Sequence, residues 1–479
     1  MPENTNNAAP VIVIGGGISG LACAWQLKQR GVPVLLLEKS PRFGGVIETV
    51  EQNGFQFECG PQSFMLTPPL AELIESVGLT GDVQKATPRA PRYILKNGKL
   101  VAAPLSPLSL FGTPLMDVET KWRLLTEPLR RSHPPDEDES VAAFVRRKFG
   151  DSLLENLAGP FVSGVYAGDP EKLSLRSVLP SAYEWERVSG SLLRGALRQM
   201  RSRPKRTGSR PGLCSLKRGA GSLLSTVGER LGDCAKLGVA VNAVIRTSGA
   251  AGSKFDVRCR QEDAVAGGEN EVSVSACAVV VACDAGEAGR MLGAVSPQFQ
   301  ESLNAIPYAP VAVVALGYRR EAIGRALNGF GFLIPRTEGL RTLGTVWNTS
   351  LFPGRAPEGH VLLTSFAGGA TDTEICGWSE DRIVVTVHEE LARVLNIRES
   401  PVARHVHINP QAIPQYNLGH GRITESLNRS CHVNPGLYLT GNYLEGPSTG
   451  ACVARSFRIA SEIEDFLQSG TTPGSSSSP

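Results

Sequence analysis

Four consecutive β-branched residues, "VIVI" at 11–14, open the regular pattern of this chain, as a parallel strand buried on both faces does. A glycine-rich turn follows. Leu21, Ala24, Trp25 and Leu27 then recur at helical spacing and predict a helix over 18–30 that stops at Gly31. The next apolar run, "VPVLLLE" at 32–38, is a second buried strand, so the segment is one βαβ unit. Similar runs come late. "VSVSACAVVVAC" at 272–283 predicts a strand leading into a helix, and "GLYLTGN" at 436–442 predicts a strand followed by a helix over 449–467, where Val453, Phe457, Ala460, Ile463 and Leu467 step by three or four.

Three distant pieces of one α/β pattern imply a domain built from discontinuous segments with other material inserted between them. The first insertion, about 90–206, holds the leucine- and proline-rich "APLSPLSLFGTPLMDVETKWRLL", the acidic hinge "PPDEDES" and a helix in "VAAFVRRKFGDSLLENL". The second, about 306–419, offers "VAVVALGYR", "GFGFLIP", "TLGTVWNT" and "HVLLTSFAGG" as strands of an antiparallel sheet. The expected fold class is therefore α/β. A Rossmann-like dinucleotide domain spans 10–89, 207–305 and 420–468. An inserted α+β substrate domain spans 90–95, 150–206 and 306–419, a helical segment covers 96–149, and the tail 469–479 is low-complexity and expected to be disordered.

Composition narrows little: 479 residues, 41% hydrophobic and 20% charged, describe an ordinary globular protein of two or three domains. A net charge of +3 gives no global field for nucleic acid, which is not expected as a partner. The segment 201–218 carries seven basic residues and no acid, and is read as a solvated loop, with an anionic membrane surface as the functional alternative. Ten cysteines without a CxxC pair point to a reducing compartment without structural disulfides or zinc. His405 and His407 in "RHVHI" share one face of a strand, but two ligands do not make a metal site, and none is assigned. The start "MPENTNNAAP" has neither a signal nor a transit pattern, and no run of about 18 apolar residues predicts a spanning helix.

The chemistry begins in the turn "GGGISG". Gly15 makes the tight turn, Gly17 lets backbone approach a pyrophosphate, and Gly20 lets the helix pack against its strand. Glu38, at the end of the second strand, stands where a carboxylate accepts both ribose hydroxyls and disfavours a 2′-phosphate. A dinucleotide other than NADP is implied. "EKSPRFGGVIET" then adds a cation, Arg42, and two amides without side chains, Gly44 and Gly45, which an NAD site does not need.

That extension resembles the second signature of the amine-oxidase-like flavoproteins, and "FECGPQSF" at 57–64 resembles the loop those proteins lay along their cofactor. The resemblance implies FAD, held by Gly15, Gly16, Gly17, Ile18, Ser19 and Gly20, by Glu38 and Lys39, by Arg42, Gly44, Gly45 and Val46, and by Gly60, Pro61, Gln62 and Ser63. Asn242 falls where backbone meets the adenine. Gly441, Asn442, Pro447, Ser448 and Thr449 lie at the flavin end, where the dipole of the helix from 449 favours negative charge on the reduced ring. Within that superfamily, "APRYILKNGKLVAAPLSP", "SGVYAGDPEKLS", "GFGFLIPRTEGLRTLGTVWNTSLFPGRAP" and "PQAIPQYNLGH" closely resemble the protoporphyrinogen oxidases of plastids and bacteria, in order from about residue 10 to 468.

In that family Arg92 stands where a guanidinium holds a substrate propionate, with two parallel hydrogen bonds fixing orientation as well as charge. Leu333, Val346 and Phe366 clasp the tetrapyrrole, and Ala167 and Gly168 approach it through backbone. The reaction implied is removal of six electrons and six protons in three flavin cycles, with molecular oxygen as acceptor and peroxide as product. Hydride leaves a bridging methylene for the flavin without a strong protein base, so no catalytic acid or base is assigned and positioning is the main task. An apolar substrate fits the leucine-proline segment near 100–125 as a peripheral membrane contact at the inner, cytoplasmic face; a homodimer interface or the domain interior is the other place for those residues. Pro447, Ser448, Thr449, Asn242 and Asn409 depart from the family pattern without removing a substrate contact. Competing expectations are coproporphyrinogen III as substrate, a flavin amine oxidase, and a non-enzymatic relative.

Overall fold

The computed structural model describes residues 9–87, 90–104, 107–202, 212–247, 254–262 and 269–469. The first eight residues, residues 203–211 of the basic segment 201–218 and the tail from 470 lie outside them.

Ala235–Lys236, Val34–Leu37, Val11–Ile14, Ala278–Val281 and Leu437–Leu439 form one sheet in that order, every pairing parallel. The three distant runs meet here as expected. Their continuous apolar character has a simple cause, because both faces are covered. Val11, Val13, Leu36 and Val280 pack against helices Ile18–Gln29, Gly221–Leu231 and Thr449–Ser469, while Ile12, Ile14, Val279 and Val281 pack against helix Ala285–Leu292 and a three-stranded antiparallel sheet. The single strand expected over 272–283 is two. Glu269–Ala276 is the edge of that antiparallel sheet, and Ala278–Val281 enters the parallel one. The break coincides with a change of period, from the alternating "VSVSA" of a sheet with one solvated face to the unbroken "AVVV" of a doubly covered one.

The second sheet has seven strands, in the order Ala403–Pro414, Tyr308–Arg319, His360–Gly368, Thr342–Trp347, Gly331–Leu333, Arg92–Lys96 and Lys99–Ala102. It is antiparallel as expected except where Gly331–Leu333 meets Arg92–Lys96 in parallel. Helix Glu380–Leu395 seals one face, with Ile383, Val387 and Leu391 on Val314, Leu316 and Leu363. Because the hairpin runs on to Ala102, the helical segment begins beyond it rather than at residue 96.

Helices Val118–Thr126 and Val141–Phe149 are capped by Asp117 and Ser140. Inside their bundle, buried Lys148 lies 3.2 Å from Glu127 and 3.3 Å from Glu186. Burial would raise the Glu186 carboxyl, but hydrogen bonds from Arg147 and Ser132 and the charge of Lys148 hold it down at about 2. Leu115 and Met116 are buried, whereas Val118, Trp122 (61% exposed), Leu125 and Leu129 (77%) form a stripe open to solvent. Among the described residues no helix is long and apolar enough to cross a membrane.

Candidate active site

The glycine turn is held from both sides. A Cβ on Gly20 would lie 1.9 Å from the Gly15 carbonyl oxygen, so only glycine lets the helix sit this close to the strand. A Cβ on Gly17 would meet nothing within 4 Å, leaving a backbone face open at the helix start. Glu38, buried, accepts from Gly16 N at 2.5 Å and Ser40 N at 2.7 Å, one bond per oxygen, so each oxygen keeps a lone pair for a ligand hydroxyl. Strand Val239–Arg246 starts beside it, with Val239 N donating to Glu38 O. Its register slips between Val241 and Ala243, so Asn242 sits in a bulge, out of register with the neighbouring strand. The polar side chain at this position is therefore no obstacle to a backbone contact.

Arg42 behaves differently from the free cation the sequence implies. Its guanidinium donates to Gly45 O at 2.9 Å and pairs with Glu48 at 2.9 Å, bracing the loop that Gly44 N ties to Gly16 O. Lys39 is exposed and lies 3.8 Å from Glu287. Gly60 packs against the carbonyl of Val46, and Gln62 is clamped by Glu58 O, Gly60 O and Asn348 Nδ2, with Pro61 and Ser63 flanking it. Asn348 lies in the family-like stretch "TLGTVWNTSLFPGRAP", but its contact with Gln62, 286 residues away, is not readable from sequence. Its Oδ1 is buried without a partner among the described residues.

Helix Thr449–Ser469 runs along helix Ile18–Gln29, with Ser456 Oγ donating to the carbonyl of Ser19 at 2.8 Å, which ties the second helix to the turn that ends in Ile18. Ser448 accepts from Ala451 N and caps the helix, so "PST" replaces aliphatic residues with a working N-cap. Pro447 precedes it, Gly441 has φ of 156°, and the carbonyl of Asn442 accepts from Tyr416 Oη.

The register of the seven-stranded sheet settles which predicted substrate residues stand together. Gly331 pairs with both Arg92 and Val346, Leu333 with Gly344, and Gly344 with Phe366. Arg92, Leu333, Val346 and Phe366 thus share the face opposite helix Glu380–Leu395. Leu333, Val346 and Phe366 are half-buried within otherwise buried stretches. Arg92 is exposed, 5.1 Å over the Phe330 ring, and has no carboxylate partner among the described residues. Ala167 packs in one cluster with Phe366, in a left-handed conformation (φ 47°) with its carbonyl held by Ala370 N. Gly168 has a packing reason as well as an access one: a Cβ there would strike Leu173 and Gln415.

The model of the family described as flavin containing amine oxidoreductase matches residues 18–459. Protoporphyrinogen oxidase 1, chloroplastic, of Arabidopsis thaliana is 35% identical over 95% of this chain and 88% of its own. Coproporphyrinogen III oxidase of Bacillus subtilis is 31% identical over 95% of this chain and 98% of its own. A crystal structure from Exiguobacterium sp. 255-15 shares the fold at a TM-score of 0.78 and 23% identity, covering 96% of this chain and 99% of that one. The chain belongs to the flavin-containing amine oxidoreductases, in the branch that holds the protoporphyrinogen oxidases.

Proposed function

We propose that this protein oxidises protoporphyrinogen IX to protoporphyrin IX with FAD and molecular oxygen, six electrons and six protons leaving the substrate as three molecules of oxygen become three of peroxide. The observation that carries the reading is the sheet face of Leu333, Val346 and Phe366 with Arg92, exposed and without a carboxylate partner among the described residues, at its rim, an apolar plate with a cation at one edge. A flat macrocycle with propionates along one side has the complementary form.

The turn fits FAD: Gly17 leaves its backbone open, Glu38 keeps acceptor capacity for ribose, and the bulge at Asn242 leaves backbone outside the ladder. When bound, FAD supplies a two-electron acceptor. The chain's own residues supply position. Arg92 holds a propionate, Leu333, Val346 and Phe366 fix the ring plane and exclude water, and Ala167 and Gly168 bound the cavity by backbone. No side chain is needed to take a proton during the chemical step.

Coproporphyrinogen III is the second reading, since the Bacillus subtilis relative bears that name. A substrate with four propionates asks for cations beyond Arg92, and the two arginines described nearby are already engaged. Arg336 donates to Gly368 O, and Arg341 pairs with Asp372 and Glu374. Amine oxidation needs an aromatic cage, and Tyr443 is fully buried. Porphyrin fluorescence from both porphyrinogens, under air and under nitrogen, tests the proposal. Faster turnover of the four-propionate substrate would overturn it. Loss of one charge-assisted pair, about 1.5–3 kcal/mol, should lower kcat/KM of Arg92→Ala about 10- to 150-fold; an unchanged value removes Arg92 from the site.

The stripe of Val118, Trp122, Leu125 and Leu129 supports peripheral contact with the inner face of a membrane. Each large side chain buried in lipid contributes about 1.5–3 kcal/mol, so Trp122→Ser with Leu129→Ser should reduce liposome co-sedimentation at least about tenfold. Equal sedimentation of wild type and variant would assign the stripe to another partner, such as a second copy of this chain.

A further inference from the structure

The strand "RHVHI" shows only two metal ligands in sequence, and folding brings it two more. The hairpin Thr49–Gln52/Phe55–Glu58 closes with Cys59 N donating to Glu48 O, which sets Glu48 and Cys59 side by side. Strand Ala403–Pro414 crosses beside them, with His405 and His407 on the face of the sheet that carries Phe366 and Val313. One ligand atom each from Glu48, Cys59 and His407 lie within 4.8 Å of one another, and His405 Nε2 stands 3.3 Å from Cys59 Sγ.

We infer that Glu48, Cys59 and His407 form a binding site for a divalent transition-metal ion of the zinc class, at the seam between the cofactor hairpin and the substrate sheet, with His405 bracing the sulfur. Carboxylate, thiolate and imidazole are the donor types zinc takes, and tetrahedral bonds of about 2.0–2.3 Å place donor atoms roughly 3.3–3.7 Å apart, inside the 4.8 Å limit that the three atoms already meet. Charge agrees: one carboxylate and one thiolate neutralise a dication. The thiol gives up its proton to solvent as the cation binds. Glu58 is no competitor, because its oxygens are taken by Arg355, Thr49 and Ala220. Arg42 holds one oxygen of Glu48, which leaves the other for the ion. His405 is fixed by stacking on Phe57, ring centroids 5.4 Å apart.

The test is titration of the flavin-loaded protein with cobalt(II), followed by thiolate-to-cobalt charge-transfer absorption, then displacement with zinc. One cobalt per chain is expected. The band should vanish in Cys59→Ala and cobalt affinity should fall at least about tenfold in His407→Gln. No band at a tenfold excess of cobalt overturns the site, as does a band that survives in Cys59→Ala, since nine other cysteines are present. His407 is only half-buried, so its variant tests the ligand set even if Cys59→Ala fails to fold; unchanged affinity there also overturns it.

Discussion

Gly20→Ala should leave purification with less than about a tenth of the flavin carried by the wild type. The added Cβ would stand 1.9 Å from the Gly15 carbonyl, a backbone atom that cannot rotate away, so helix Ile18–Gln29 must retreat from strand Val11–Ile14. Overpacking of this kind costs about 1–3 kcal/mol or more, and every 1.4 kcal/mol is tenfold in an equilibrium. The retreat also moves Ser19, whose carbonyl anchors Ser456 of the second helix, so both ends of the cofactor site are disturbed together. Gly17→Ala is the instructive contrast. Its Cβ would project into open space, so that variant should fold, melt like the flavin-free wild type when stripped of cofactor, and lose flavin affinity only. Flavin absorbance per chain and thermal melting, measured on both proteins, separate the two effects. Full flavin in Gly20→Ala would mean that the turn is not the pyrophosphate cradle.

The contrast shows what was legible in the sequence. The turn is local: strand, glycines and helix lie within twenty residues, and period and residue type suffice to place them. Glu38 is still within one βαβ unit. The substrate face is not local, for Arg92 pairs with Gly331 across more than two hundred residues, and only through that pairing does it join the neighbouring strands that pair Gly344 with Phe366. Those residues were nominated through family resemblance, and only the register explains why they share a face. The missed features follow the same logic. Asn348 reaches Gln62, and Glu48 and Cys59 reach His407, by folding alone. The split of 272–283 shows only in a change of period, which the apolar richness of the whole run masks.

The second large effect belongs to Arg355, which lies in the family-like stretch ending "FPGRAP" but carries no role assigned from sequence. It is 1% exposed, yet its guanidinium pairs with Glu58 at 3.0 Å, donates to Gln56 and Ser215, and reaches Leu216 O. Three segments meet on one charge: the cofactor hairpin, strand Leu213–Leu216, and the turn after strand Thr342–Trp347. Removing one partner of a buried pair leaves the other charged and dry, at about 3–5 kcal/mol. Arg355→Met should therefore lower the thermal inactivation midpoint markedly, and, because the short helix Asn348–Leu351 that leads into this turn carries the Asn348 clamp on Gln62, should weaken flavin binding as well. Adding Glu58→Gln removes the stranded charge while its one amide oxygen still accepts from Ala220 N and its NH2 can donate to Thr49 Oγ, so the double variant should be more stable than Arg355→Met alone. At this chain length the comparison belongs to inactivation midpoints at one scan rate rather than to a two-state free energy. A double variant less stable than the single, or an Arg355→Met protein that melts with the wild type, would show that the three segments are held together by packing and not by this pair.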